Sequence, residues 1–238
     1  AYAKQSGAVK YIDTTTNGSL MTPARLEPVL EAGLDKINIS VDGMDAGQYL
    51  EFTKYEFDFD EFVKSVKWLD QNKGACEVSI KIPGDILTEN QKEEFLEVFG
   101  DYCDRIFIEN FAPCWPEFDV ETHTGVEIQQ GIYQQSITQT DTCPYIFYSL
   151  SINADGLASS CFLDWGRKLL VGDARRQSVK SIWHSDEMND LRLQHLEGKR
   201  NENPVCKSCG QLTHCLPDNI DAYREKLLPA FLEYAEKK

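Results

Sequence analysis

The chain has 238 residues, of which 39 are acidic and 24 are basic, so its formal net charge is −15. This charge argues against a nucleic acid as partner, because binding to a phosphate backbone depends on Lys and Arg. No apolar run approaches the roughly 20 residues that a membrane-spanning helix needs, so we expect a soluble, cytoplasmic protein with no membrane partner.

The first half of the chain alternates predicted strands and helices. Short apolar runs predict strands at residues 8–13, 36–40, 76–82 and 105–109. Between them, Thr22 with Pro23 marks the start of one helix, and Thr88 with Gln91 forms a capping box at the start of another. Strand, helix and strand repeated at this pitch indicate a parallel sheet with binding loops at the carboxyl ends of its strands.

Residues 113–142 contain prolines, glycines and a run of Gln and Thr, which predicts a connection between two domains. A structureless loop of this length is unusual, so we expect short elements or a functional role within it. We therefore divide the chain into a first domain at 1–112, a linker at 113–142 and a second domain at 143–238.

Five cysteines of the second half form a set with metal-ligand spacing: Cys143, Cys161, Cys206, Cys209 and Cys215. The Asp-Gly turn at 155–156 predicts a β-hairpin that brings the first two together. The next two stand in the order Cys-Lys-Ser-Cys, which lets two thiolates point at one centre. Such a set indicates an iron–sulfur cluster or zinc, although zinc ribbons usually have two close pairs. The alternatives are buried free thiols and a disulfide framework, which is typical of smaller secreted chains.

The order of these cysteines resembles the signature of the SPASM domain, the C-terminal extension of many radical SAM enzymes. The resemblance runs Cys-x12-Gly-x4-Cys, then a gap, then Cys-x2-Cys-x5-Cys. Asn219 stands where the next cysteine of the signature is due, so the chain looks like the smaller twitch variant with one auxiliary 4Fe-4S cluster. By this resemblance Cys215 is a fifth, alternative ligand. The four main ligands that the resemblance implies are Cys143, Cys161, Cys206 and Cys209.

The first half resembles strands three and four of the radical SAM partial barrel, through Thr16-Asn17-Gly18 and Ser40-Val-Asp42-Gly43. The resemblance implies an α/β fold: part of a (β/α)6 partial barrel, followed by a small α+β cysteine-rich twitch or SPASM domain. It also implies an S-adenosylmethionine site. The residues implied for that site are Thr16, Asn17, Ser40 and Asp42. Turn formation is the alternative role, because Asn-Gly and Asp-Gly are ordinary turn sequences.

The Cys-x3-Cys-x2-Cys loop that carries the radical-generating cluster of the family does not occur in these 238 residues. We therefore interpret the chain as the C-terminal portion of a longer enzyme, and expect it to be inactive alone. In the family, a 5′-deoxyadenosyl radical abstracts hydrogen from a substrate, and an auxiliary cluster accepts an electron or positions the substrate. The resemblance implies oxidation or cross-linking of a peptide, sugar or aminoglycoside-like substrate. It further implies S-adenosylmethionine, a second 4Fe-4S cluster and an electron donor such as flavodoxin or ferredoxin.

Other residues of the second half have two possible roles. Asp164, three residues after Cys161, is a candidate catalytic acid or base, or else a solvated loop carboxylate. His214 is a candidate substitute ligand. Residues that we assign to packing or to the surface are Cys114, His184, His195, Trp165 and Trp183, with both tryptophans in the core of the small domain.

Two other functions remain open from the residues. One is a zinc-stabilised, non-catalytic binding or scaffold module derived from the same fold. The other is a different α/β enzyme in which the cysteines are structural.

Overall fold

The chain forms two compact units, Ala1–Asn110 and Phe111–Lys238. The structure is a computed structural model that describes residues 1–236. Within that range no helix combines the length and the apolar character needed to cross a bilayer. The finer division at 1–112, 113–142 and 143–238 stays a prediction.

The first unit is a parallel four-stranded sheet in sequential order with helices between its strands, which is the α/β arrangement predicted. Its strands are β1 Asp13–Thr16, β2 Lys36–Ser40, β3 Glu77–Pro83 and β4 Arg105–Glu109. Its helices are α1 Tyr2–Gln5, α2 Pro23–Glu31, α3 Ala46–Thr53, α4 Phe59–Asn72 and α5 Glu89–Phe99. Two short 3-10 turns lie at Gly84–Ile86 and Gly100–Tyr102.

The central strands β2 and β3 bury one face, because apolar and polar residues alternate along them and successive side chains point to opposite faces of the sheet. Ile39 of β2 pairs with Ile80 of β3, and both are 0% exposed. Leu69 of α4 packs into the same core, also at 0% exposure. The capping box predicted at Thr88 is present, with its hydroxyl accepting a hydrogen bond from Gln91 N at 3.3 Å.

The prediction for the first strand was wrong, because the strand begins at Asp13 and not at residue 8. The cause is Asp35, whose carboxylate accepts a hydrogen bond from Ile12 N at 2.6 Å immediately before pairing begins. Pairing with β2 then starts at Asp13 opposite Lys36. The threonines that follow complete the strand, because β-branched residues favour extended backbone.

The second unit has a small antiparallel sheet and several short helices. Its strands are β5 Ser151–Ile152, β6 Leu157–Ser159 and β7 Leu170–Asp173. Its helices are α6 Val120–Thr124, α7 Val179–Trp183, α8 Asp186–Leu196, α9 Gln211–His214 and α10 Arg224–Glu236. Its 3-10 turns lie at Tyr145–Phe147, Arg200–Glu202, Cys206–Ser208 and Asp221–Tyr223.

The hairpin predicted from the Asp-Gly turn is present, with β5 and β6 antiparallel. Gly156 adopts a φ of +86°, a conformation that glycine reaches without a steric penalty. Asn153 N donates a hydrogen bond to Leu157 O at 2.9 Å and closes the turn. The hairpin therefore returns the chain, so that Cys161 after β6 comes back toward Cys143 before β5.

Replacing Leu69 with Ala should destabilise the first unit by about 2–5 kcal/mol, because the substitution leaves a cavity in a close-packed core. The matched control is Leu96→Ala on α5, where the side chain is 46% exposed and its loss should change little. Urea denaturation followed by circular dichroism measures both. Equal losses in the two variants would contradict the assignment of Leu69 to the core.

Candidate metal centre

Four thiols of the second unit line one cavity of about 30 Å³. They belong to Cys143, Cys161, Cys206 and Cys209. The cavity therefore joins the two ends of the hairpin region to a loop more than 40 positions further along the chain. None of the four forms a disulfide.

Local structure positions each thiol. Cys143 lies just before the 3-10 turn Tyr145–Phe147, and Cys161 follows β6. Cys206 opens the 3-10 turn Cys206–Ser208, and Cys209 N closes that turn by donating to Cys206 O at 3.3 Å. The Asn203 side chain fixes the start of the same turn, since its Oδ1 accepts a hydrogen bond from Cys206 N at 3.1 Å.

Backbone N–H groups are directed at the sulfurs, which is the arrangement that anionic thiolates require. Leu163 N donates to Cys161 Sγ at 3.4 Å. Hydrogen bonds from the backbone of Tyr145 and Ile146 lower the pKa of Cys143, although burial has the larger effect on it.

Burial raises the pKa of all four thiols. That of Cys143 rises to about 11, and those of Cys161 and Cys206 rise to about 12. The pKa of Cys209 is also raised, and burial is again the main cause. The bare thiols are thus neutral at pH 7, and they become thiolates only beside a strong positive charge such as a metal centre.

Arg200 is a buried cation on the same cavity, with 7% of its surface exposed. Its guanidinium donates to Cys206 O at 2.5 Å. Its positive charge acts to lower the pKa of Cys143, Cys206 and Cys209, against the larger effect of burial. Arg200 therefore offsets part of the negative charge that thiolates would bring into the cavity.

His195 also lines the cavity and is 1% exposed. Its Nδ1 accepts a hydrogen bond from Cys143 N at 3.2 Å. Its Nε2 is buried, and no described residue pairs with it. The assignment of this residue to packing or to the surface thus missed its place beside the thiols.

Asp164 is buried, at 6% exposure, so it is not the solvated carboxylate that we considered. It accepts hydrogen bonds from Ser159 Oγ at 2.7 Å and from Lys168 N and Leu169 N, both at 2.8 Å. Cys161 N in turn donates to Ser159 Oγ at 3.4 Å. Asp164 therefore fixes the loop that carries Cys161, and a catalytic role for it stays a prediction.

Cys215 lies in the described part of the chain but is not one of the residues that line the cavity. Cys114, assigned to packing, comes close to the site, because Cys209 Sγ lies 3.8 Å from Cys114 O. Trp165 was predicted to be core, and this was wrong: it is 71% exposed, and its ring contacts that of Trp115 at a tilted angle with 4.1 Å between centroids. Trp183 does pack against the core of the second unit.

Among residues 1–236, no three side chains of His, Cys, Asp or Glu are grouped closely enough to hold a single metal ion. The donors that line the cavity are nevertheless the set that an iron–sulfur group uses, namely four thiols with N–H groups directed at sulfur. The residues present therefore fit such a group.

The four residues implied for S-adenosylmethionine lie together at the carboxyl ends of β1 and β2. Thr16 ends β1 and Ser40 ends β2, which is its parallel neighbour. Thr16 Oγ1 accepts a hydrogen bond from Gly18 N, and Asn17 Oδ1 accepts one from the backbone two residues further on, both at 3.1 Å. Burial raises the pKa of Asp42. Both side-chain bonds are turn interactions, and binding of S-adenosylmethionine stays a prediction.

Comparison with known proteins agrees with this geometry. Residues 143–210 match the SPASM family model, described as an iron–sulfur cluster-binding domain. The chain is 32% identical over 53 residues to an S-adenosyl-L-methionine-dependent 2-deoxy-scyllo-inosamine dehydrogenase from Niallia circulans. That match covers 22% of this chain and 21% of the relative, so it spans about a fifth of the relative's length.

Two solved structures share the fold at low sequence identity. Native anSMEcpe with bound AdoMet and Kp18Cys peptide is 13% identical at a TM-score of 0.53, over 100% of this chain and 79% of that one. Streptococcus suis SuiB bound to S-adenosylmethionine is 16% identical at a TM-score of 0.52, over 85% of this chain and 53% of that one.

Fold and family match together indicate a class. The chain is similar to radical SAM proteins of the SPASM type: residues 143–210 match the iron–sulfur cluster-binding domain, and the chain shares the fold of structures solved with bound AdoMet. The parallel sheet of the first unit agrees with part of the barrel of that fold, and the cysteine-rich second unit contains the SPASM match.

Replacing Asp164 with Asn should loosen the Cys161 loop, because the new amide N–H group would face two backbone donors. We expect the free energy of unfolding of the metal-free second unit to fall by about 1–3 kcal/mol. Thermal unfolding followed by near-ultraviolet circular dichroism measures the change. The control is Asp190→Asn at an exposed position of α8, and an equal effect in both variants would contradict the structural role of Asp164.

Proposed function

We propose that the second unit holds one auxiliary 4Fe-4S cluster, and that the chain is part of an enzyme that oxidises its substrate after hydrogen abstraction by a 5′-deoxyadenosyl radical. One observation carries the proposal. The four thiols that line a single cavity lie within the region that matches an iron–sulfur cluster-binding domain. The proposed ligands are Cys143, Cys161, Cys206 and Cys209.

The chain's own residues supply the environment that such a group needs. When bound, a 4Fe-4S cluster supplies a one-electron redox centre. Arg200 provides a fixed positive charge beside the thiolates, and Asp164 holds the Cys161 loop through three hydrogen bonds. Apolar side chains, among them Leu163 and Leu212, line the remaining wall and limit the access of water.

The family match supports a cluster over a single zinc ion. Residues 143–210 match a model described as an iron–sulfur cluster-binding domain, and this range contains all four proposed ligands. Structural zinc sites usually have two close cysteine pairs, whereas Cys143 and Cys161 are eighteen positions apart.

Dehydrogenation is the reaction class that we favour. The relative from Niallia circulans is a dehydrogenase by name. Oxidation of an alcohol to a carbonyl removes two electrons and two protons. Abstraction of a hydrogen atom accounts for one electron and one proton. The hydroxyl proton then passes to a base or to water, and a redox centre is needed for the second electron. A hydroxylated small molecule is accordingly our proposed substrate class.

S-adenosylmethionine binding at the carboxyl ends of β1 and β2 is part of the same proposal. Ligands of α/β sheets bind at this edge, where Thr16 and Ser40 lie on neighbouring strands. Asp42 offers a carboxylate to ribose hydroxyls there. An electron donor such as flavodoxin or ferredoxin is the proposed protein partner.

Anaerobic reconstitution tests the cluster. We expect about four iron and four sulfide per chain, with little zinc, because four thiols hold one cubane. Cys206→Ser should lose most of the iron, since it removes one of the four thiols on the cavity. Cys215→Ser should keep it, because Cys215 is not on the cavity wall.

Colorimetric iron and sulfide assays with zinc measured by mass spectrometry provide the readout. Cys103→Ser, in the first unit, controls for the general effect of losing a thiol. Fewer than about three iron per wild-type chain after reconstitution, or stoichiometric zinc, would contradict the assignment.

The 238-residue chain incubated with S-adenosylmethionine and dithionite should form no 5′-deoxyadenosine. The reason is that its sequence contains no Cys-x3-Cys-x2-Cys loop to hold a radical-generating cluster. Liquid chromatography of the quenched mixture detects the product. Formation of 5′-deoxyadenosine faster than in a boiled sample would contradict this prediction, because another part of the chain would then cleave S-adenosylmethionine.

A further inference from the structure

His195 is a polar residue on the buried face of α8. It follows Met188 and Leu191 at helical spacing, and all three side chains are buried. A buried polar group is unfavourable unless its hydrogen-bonding atoms find partners. The two ring nitrogens of His195 therefore need separate consideration.

The hydrogen bond at Nδ1 decides which nitrogen carries the proton. Cys143 N donates to Nδ1 at 3.2 Å, so Nδ1 is an acceptor and holds no hydrogen. A neutral imidazole has one donor and one acceptor, so the hydrogen lies on Nε2. An Nε2 that carries hydrogen has no free lone pair for a metal, so it is a donor and not a ligand.

The same hydrogen bond shows that the ring is neutral, because an imidazolium carries hydrogen on both nitrogens and could not accept from Cys143 N. The residue therefore presents a single N–H group, held in one orientation by its bond to Cys143. This N–H group is buried and has no partner among the described residues.

The surroundings of His195 indicate its partner. The residue lines the same cavity as the four thiols. A sulfur atom of the group held in that cavity, either inorganic sulfide or cysteine thiolate, is an acceptor that can satisfy the N–H group.

We propose that His195 Nε2–H donates a hydrogen bond to a sulfur of the auxiliary cluster and thereby raises the reduction potential of that cluster. The proposal rests on the proposed function, because it requires a cluster on the four thiols. Reduction adds one electron and one negative charge to the cluster, with no proton transferred. A fixed donor stabilises the more negative state more strongly, and hydrogen bonds to sulfur are one of the factors that set cluster potentials.

The test compares two variants of the reconstituted chain with the wild type. His195→Phe keeps a ring but removes the donor, whereas His195→Gln keeps an N–H donor and an acceptor. A redox titration followed by EPR measures the reduction of the cluster in each variant. The cluster of the His195→Phe protein should be harder to reduce, with a ratio of reduced to oxidised cluster at least tenfold smaller at a fixed potential. For a one-electron couple this is a shift of about 59 mV.

His195→Gln should remain close to the wild-type potential. The matched control is Met188→Leu, a buried position on the same helix that is not part of the cavity wall, and it should leave the potential unchanged. A fully loaded His195→Phe protein with the wild-type potential would overturn the proposal. Failure of the wild type to bind iron would instead overturn the proposed function, so the two failures are distinguishable.

A measurement on the wild type covers the case in which His195→Phe does not fold or load. With 15N-histidine incorporated, pulsed EPR of the reduced cluster should detect a weak nitrogen coupling together with an exchangeable proton. The nitrogen coupling should disappear in His195→Gln, which has no labelled ring. Absence of the coupling in loaded wild-type protein would overturn the proposal independently of any variant.

Discussion

Burial of four thiols around one cavity is the constraint on which the second unit depends. Removal from water favours the neutral form of each thiol, so the cavity holds thiolates only together with a compensating positive centre. Arg200 provides one cation, and N–H groups of the backbone provide further partial charges. The rest of the compensating positive charge would have to come from a group bound in the cavity. Thiolates at these four positions would therefore depend on such a group for their charge.

This dependence agrees with how little apolar packing the second unit has elsewhere. Its sheet consists of strands of two to four residues, and its buried cluster is small: Ala158, Val171, Ile182 and Met188. The first unit, by contrast, has a continuous core between its parallel sheet and its helices. Small units with little core commonly rely on metal centres or disulfides, and the second unit has no disulfide among the four cavity cysteines. A bound centre that joins the hairpin to the later loop would supply the missing cross-links.

The sequence predicted features that depend on local pattern. The strands at 36–40 and 105–109, the capping box at Thr88 and the hairpin at 155–156 all follow from apolar periodicity or turn chemistry. The features that the sequence did not predict depend on contacts between residues that are far apart in the chain. Immediately before β1 starts, Ile12 N donates to the carboxylate of Asp35, more than 20 positions away, and the exposed Trp165 contacts Trp115, which lies 50 positions before it. His195 did show one local signal, a polar residue at helical spacing with buried apolar neighbours, but only the fold places it beside the thiols.

The position of the thiols along the chain also has a consequence for biosynthesis. The cavity is complete only when residue 209 has left the ribosome, because Cys206 and Cys209 form one side of it. The parallel sheet, which ends at Glu109, has emerged well before then. Domains generally fold in the order in which they are synthesised, so the first unit can fold while the second is still missing half its ligands. Insertion of a group that needs all four thiols is therefore a late event in the synthesis of this chain.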